Sequence, residues 1–169
     1  AGPPLVPILF DGLRSGPEGT VVQYVLSTVE ALRRVVKQFP GLSLHNRLAL
    51  IVPDTTFLDA FRPVLQAELR TAFAARQLTL VSAQEAAAEC AVDRSKRRLT
   101  ESLVLDIVEQ FDGLERLIVI AVGMDQPIGD GGAVSEVALE TRSRLYRAIT
   151  RAHMLVLVVD EALKNGMLS

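Results

Sequence analysis

The chain has no tryptophan, a single cysteine, 5% aromatic residues and almost no excess of charge, with 20 acidic side chains against 18 basic ones. Each scarcity excludes something. Cys90 can form no internal disulfide and has no second thiol with which to share a metal, so it reads as a small apolar filler in a reducing compartment. A net charge of −2 gives no global basic field, so nucleic acid could be held only on a local patch. No apolar run approaches the roughly 18 residues of a membrane span. The opening Ala1-Gly2-Pro3-Pro4 lacks the basic and apolar regions of a signal peptide. The expectation is a soluble intracellular protein, of cytoplasm or nucleus, with no membrane partner. A start without Met on a Pro-rich segment, and a stop just after Met167-Leu168, suggest a piece of a longer protein.

Several catalytic signatures are missing as well. The chain contains no Gly-x-x-x-x-Gly-Lys-Ser/Thr loop, whose backbone amides and lysine cradle a triphosphate, and so has no P-loop of its own. Gly129-Asp130-Gly131-Gly132 is glycine-rich but carries no lysine. There is no Gly-x-Ser-x-Gly elbow, and neither His45 nor His153 has a second histidine or cysteine at ligand spacing, so no metal centre is expected. Asp11 and Asp54 each follow an apolar run, yet the acidic pair and late lysine of a phospho-accepting receiver are absent, which leaves them as turn and helix-cap residues. The run 155–159 followed by Asp160-Glu161 imitates the strand that holds Mg²⁺ in ATPases. Without a P-loop those carboxylates have no nucleotide to serve, and they read as caps for a following helix.

What is present is an aliphatic core. Hydrophobic residues make up 49% of the 169 positions, enough for one domain burying roughly two thirds of its unfolded surface. Short apolar runs alternate with amphipathic ones, the pattern of a parallel sheet covered by helices. Strands are predicted over 6–10, 48–52, 78–81, 103–108, 117–122 and 154–159. Pro7 places the first of them near an edge or at its first residue. The helix predicted over 20–38 would bury Val22, Val25, Leu26, Val29, Leu32, Val36 and Phe39, and Pro40-Gly41 stops it. A second over 57–77 would bury Phe57, Phe61, Val64, Leu65, Leu69 and Phe73, with a bend at Pro63. Ser82 and Glu85 form a capping box that opens a short alanine-rich helix to Cys90. The last helix is expected over 135–151. In the charge run 93–98, Arg94, Lys96 and Arg97 make either a solvated loop or a contact to a phosphate backbone. No internal repeat or linker divides residues 1–169. In such a sheet ligands lie beyond the carboxyl ends of the strands, where chemistry is first sought.

Two segments stand apart from this pattern. Phe111-Asp112-Gly113-Leu114-Glu115 leads into the strand at 117–122, and Leu145-Tyr146-Arg147-Ala148-Ile149-Thr150-Arg151-Ala152 ends a helix and leads into the strand at 154–159. In order and spacing they resemble the Lys-Gly-Leu-Glu and Tyr-Val-Ala-x-Thr-Arg-Ala motifs of superfamily 1 helicases of the UvrD/Rep type. The variant Gly113-Leu114-Glu115-Arg116 is also similar to the helicase-like region of Schlafen-type proteins. The motif likeness covers residues from about 100 to 160.

That resemblance implies a three-layer RecA-like fold of the P-loop NTPase type, the second of two such domains, with ATP and Mg²⁺ bound mainly by a P-loop domain of the same parent protein. Arg151 would be the arginine finger that reaches the γ-phosphate. Glu115 would meet the ribose or align the nucleotide, Gly113 would allow close backbone approach, Tyr146 would pack behind the motif, and Thr150 belongs to the same nucleotide-contacting set. The alternatives are that Arg151 merely caps its helix and that Glu115 pairs with Arg116 or a nearby loop. The family's threonine, histidine and lysine are replaced by Ile107, Glu109 and Asp112, which weakens contact with single-stranded DNA or RNA. Two functions follow: half of an ATP-dependent helicase or translocase, inactive alone, or a nucleotide-gated regulatory module that does not unwind. An unrelated doubly wound binding domain is a third.

Overall fold

Aliphatic runs too short for helices, without polar alternation, belong in strands covered on both faces. Leu48–Val52 shows this most fully, with all five residues buried. The computed structural model describes residues 2–12, 17–91, 100–111, 114–124 and 136–162. Six strands, β1 (Leu5–Phe10), β2 (Leu48–Val52), β3 (Leu78–Val81), β4 (Glu101–Ile107), β5 (Arg116–Val122) and β6 (Ala152–Glu161), form one sheet in the order β1-β6-β5-β2-β4-β3. Every described pairing is parallel. Helices α1 (Pro17–Gln38) and α2 (Thr55–Ala72) cover one face; α3 (Ala83–Ala91), a 3₁₀ turn (Val108–Phe111) and α4 (Glu136–Ile149) cover the other. The expected α/β architecture of three layers is therefore observed. Among the described residues no helix is long and apolar enough to cross a membrane.

The two faces differ in kind. The core between the sheet and α1 and α2 holds large side chains from both layers, including Leu32, Phe61 and Leu65 of the helices and Leu50, Leu105 and Ile120 of the strands. The opposite core contains Ala49, Ala83, Ala86, Ala121 and Ala148 around Phe111, so backbones approach closely there. α1 starts at Pro17, whose missing N–H costs nothing at a first helical position. Its buried stripe is rotated from the expected one: Tyr24, Val25, Thr28, Val29, Leu32 and Val35 are inside, whereas Val22 and Leu26 are exposed. The reason is aromatic packing, because the Tyr24 ring stands edge-on between Phe10 and Phe57 with centroids 4.7 and 5.1 Å away. Thr28 is tolerated in the core because its hydroxyl donates to the Tyr24 carbonyl at 2.7 Å.

α2 is capped by Asp54, which accepts the Phe57 N–H at 2.8 Å, and it stays helical through the exposed Pro63. It ends at Ala72, five residues short of Gln77, and Gln77 takes a left-handed φ of 50°. The Ser82–Glu85 capping box forms as expected, with reciprocal bonds of 2.6 and 3.1 Å. Hydrogen bonds to it from the Ser82 backbone N–H and the Ser82 side chain hold the Glu85 carboxyl below the usual range, against the opposing effect of burial. The residues 112–113, and the charged run that contains Arg94, Lys96 and Arg97, lie outside the described residues.

Candidate functional site

In a parallel sheet the chain enters each strand at the amino edge and leaves at the carboxyl edge, and these edges face opposite ways. Glu115 and Arg151 both immediately precede or adjoin a strand start, so they stand on the amino edge. That is the opposite edge from the carboxyl ends, where ligands of such sheets are first sought. There, the described residues tie one another together. Asp160 lies inside β6, fully buried, and accepts the Met124 N–H at 2.7 Å, which binds the exit of β5 to β6. Its neighbour Glu161 packs its carboxylate against Gly12.

The amino edge is built by ordinary local rules. α4 is anchored by buried Leu145 and Ala148, and its end tightens into a turn in which the Thr150 N–H donates to Tyr146 and the Arg151 N–H to Ala148. The Thr150 hydroxyl donates to the Arg147 carbonyl at 2.9 Å and closes the helix. On the other side, the Leu114 N–H donates to the Phe111 carbonyl, and Leu114 packs on the smaller core. The chain then enters β5. The Arg116 N–H donates to the Arg151 carbonyl at 2.9 Å, and Arg116 stands opposite Ala152 in the ladder. Glu115 and Arg151, 36 residues apart in sequence, thereby become neighbours at adjacent strand entries.

Side chains complete the site. Arg151 is half-buried, and Glu115 is exposed. His153 Nε2 lies 2.7 Å from Glu115 Oε2, with both side chains more than half exposed, so this pair orients Glu115 rather than stabilising the fold appreciably. Arg116 does not pair with the Glu115 carboxylate; it donates to the Glu115 carbonyl at 2.8 Å. Tyr146 departs from expectation. It is 70% exposed, so it does not pack behind the motif; the buried positions of that turn are Leu145 and Ala148. Gly113 lies outside the described residues, as does Asp112. Glu109 is exposed, and Arg144 on α4 stands 3.8 Å from it while holding Glu140 at 2.6 Å.

Sequence reasoning passed over three residues here. The sequence suggests His153 only as a metal ligand to be tested, and its link to Glu115 depends on a β5–β6 register that no local pattern reveals. Asp106, nearly buried in β4, accepts the Ala83 N–H at 2.9 Å and so caps α3 from a neighbouring element. Arg47 sits exposed at the entry to β2, in a turn where Asn46 adopts φ 55°. Among the described residues no group of three His, Cys, Asp or Glu could hold a metal ion, so a fit for Mg²⁺ is not found in them.

No family model matches the chain, and no curated protein matches it by sequence. Among solved structures it is similar to the C-terminal domain of a possible DNA helicase from Lactobacillus plantarum WCFS1, with 17% identity and a TM-score of 0.45, over 95% of this chain and 74% of that one. It is also similar to the C-terminal part of the Fun30 ATPase domain, with 13% identity and a TM-score of 0.43, over 80% of this chain and 41% of that one.

Proposed function

We propose that this chain is the C-terminal RecA-like half of an ATP-dependent superfamily 1 helicase or translocase, completing an ATP site whose P-loop belongs to another domain of the same parent protein. One observation carries the reading. Glu115 and Arg151, the charged residues of the two motifs, meet at adjacent strand entries through the Arg116 to Arg151 backbone bond. A permanently charged planar fork suits a place opposite a phosphoryl group, where it offsets charge that develops in the transition state. Such an arginine is worth roughly 10³ to 10⁵ in rate. Glu115, oriented by His153, accepts a hydrogen bond from the ribose, and Gly113 leaves room for the backbone to approach. Thr150 fixes the helix end from which Arg151 departs. Mg²⁺, bound with the triphosphate on the P-loop domain, supplies charge neutralisation there. Arg94, Lys96 and Arg97 are candidates for contact with single-stranded DNA or RNA.

A second reading is a nucleotide-gated regulatory module that closes on ATP without moving along a strand. The exposed Glu109, standing where the family carries histidine, favours it, because a carboxylate repels a phosphate backbone. In the protein carrying both domains, Arg151→Ala is expected to abolish turnover while ATP binding persists; unchanged turnover removes the assignment. A translocation assay on single-stranded DNA and RNA separates the two readings. Movement supports the first, and ATP-dependent closure without movement supports the second.

A further inference from the structure

The turn after α2 delivers the chain into β3 through Gln77, which has a left-handed φ of 50° and whose carbonyl accepts the Glu101 N–H of β4 at 3.3 Å. In a trans peptide the next N–H points the opposite way, so the Leu78 N–H faces away from β4, on the outer edge of the sheet. Further along that edge the Gln66 amide takes the Leu78 carbonyl and the Leu80 N–H, at 3.2 and 2.8 Å. The Leu78 N–H meets no acceptor among the described residues, although Leu78 is only 3% exposed. Buried backbone donors are nearly always paired, so one left over asks for a partner from outside the chain.

Leu78 lines a cleft of about 370 Å³ between α2 and β3, at the small end of the range for ligand clefts. Phe73 and Ala74 give it an apolar wall, and Gln77, Thr79 and Thr100 add amide and hydroxyl groups. Arg70 completes the lining. It stands one helical turn past Gln66, is exposed, and makes no side-chain hydrogen bond or ion pair among the described residues. The carboxylates near it in the chain or the ladder do not neutralise it. Glu68, two residues earlier, lies on another side of α2, and Glu101, opposite Leu78 in the ladder, is held by Arg76 at 2.8 Å.

We infer that this cleft binds a carboxylate carried by a short peptide segment, with the Arg70 guanidinium and the Leu78 N–H as its donors. A guanidinium fork matches a carboxylate in a planar, two-bond arrangement, and backbone N–H groups are a recurrent means of capturing peptide carboxylates. A lone arginine balances one negative charge, so a phosphate dianion is served less well. The wall of Phe73 and Ala74 takes a small apolar side chain, while Gln77, Thr79 and Thr100 meet the polar groups of the peptide. Because the Gln66 amide already fills the edge beyond Leu78, the segment stops there and does not continue as an added strand. In the sheet order the cleft lies three strands from β5, so it is separate from Glu115 and Arg151 and does not rest on the nucleotide reading.

A ¹⁵N NMR titration of the chain with acetylated trialanine as the free acid tests the cleft. Parallel titrations use the same peptide as its C-terminal amide, an acetylated and amidated tripeptide with a central aspartate, and inorganic phosphate. At least one of the two acids is expected to shift the amides of Leu78, Thr79 and Thr100, and the neutral trialanine amide to leave them in place. Which acid binds tells a chain terminus from an acidic side chain. Arg70→Gln, at an exposed helix position, is expected to keep the folded spectrum and weaken the affinity about fivefold, with wild-type binding falling as salt rises. A role for Arg70 confined to the end of its helix would instead alter stability and leave the affinity unchanged. No shift with either acid, equal binding of the neutral amide, an Arg70→Gln affinity equal to that of the wild type, or phosphate shifting these amides while the acids do not, would each overturn the inference.

Discussion

Glu101 joins several distant parts of the chain. Its carboxylate accepts from Arg76 at 2.8 and 3.2 Å, from the Leu44 N–H at 2.5 Å and from Ser43 at 3.4 Å, while Arg76 also reaches the Leu42 carbonyl at 2.7 Å. Burial opposes its ionisation, yet the Arg76 and Leu44 hydrogen bonds outweigh it and hold the carboxyl below its usual range. A folded-state value below the unfolded one gives stability that is complete above the unfolded pKa, about 4.3, and is lost as pH falls through the folded value. Thermal melts should therefore show acid destabilisation starting below about pH 4.5, and Glu101→Gln should flatten that limb while costing about 1–3 kcal/mol at neutral pH. An acid limb unchanged in the variant would contradict this.

Gly123 makes a second residue-level test. It has φ 69°, and an added Cβ would stand 2.8 Å from the Phe57 ring. Gly123→Ala is expected to lose roughly 1–3 kcal/mol in denaturant unfolding, from backbone strain and overpacking together. At this scale, local chemistry was legible in the sequence: the Asp54 cap and the Ser82–Glu85 box both formed where spacing placed them. Asp106, Asp160 and His153 were not legible, because each binds a partner that only tertiary pairing brings near.

At the scale of elements, both sheet edges are closed against strand addition. On β1, the Pro4 and Phe10 carbonyls accept from β6, so by alternation Leu5, Pro7 and Leu9 turn their backbone groups outward. Pro7, which has no N–H, therefore sits where no ladder bond is lost and where a foreign strand would find a donor missing. On β3, the Gln66 side chain accepts the Leu80 N–H at 2.8 Å and donates to the Leu78 carbonyl at 3.2 Å, while Arg62 donates to the Leu80 carbonyl. One amide side chain thus imitates the peptide of a further strand. Gln66→Ala should destabilise the fold by about 1 kcal/mol and promote self-association, seen as a rising light-scattering mass with concentration. A monomeric, equally stable variant would show the edge to be protected in another way.

Element types followed from periodicity, and boundaries from tertiary demands. The early stop of α2 reflects Arg76 being drawn out to Glu101, and the rotated face of α1 reflects the Tyr24 ring seated between Phe10 and Phe57. A helical wheel contains neither constraint.

For the whole molecule, layers and strand direction were readable, since apolar runs separated by amphipathic helices permit little except a covered parallel sheet. Strand order was not. The order β1-β6-β5-β2-β4-β3 makes β6, the last strand, the neighbour of β5, and so brings Arg151 beside Glu115 and puts Arg47 one strand further along. Motif resemblance supplied the first two of these residues, and Arg47 had no motif to announce it. Tyr146 shows the limit of carrying a role over with a motif: the position expected to pack is the most exposed large hydrophobic side chain among the described residues.

On the proposed reading this domain lends one guanidinium to a site built elsewhere, and so should bear little of the binding and much of the rate. Single-turnover hydrolysis at saturating ATP, in a protein that joins this chain to a P-loop domain, measures that division directly. Arg151→Ala is expected to slow the chemical step by roughly 10³ or more with ATP still bound. Hydrolysis at the wild-type rate in that variant would contradict the account.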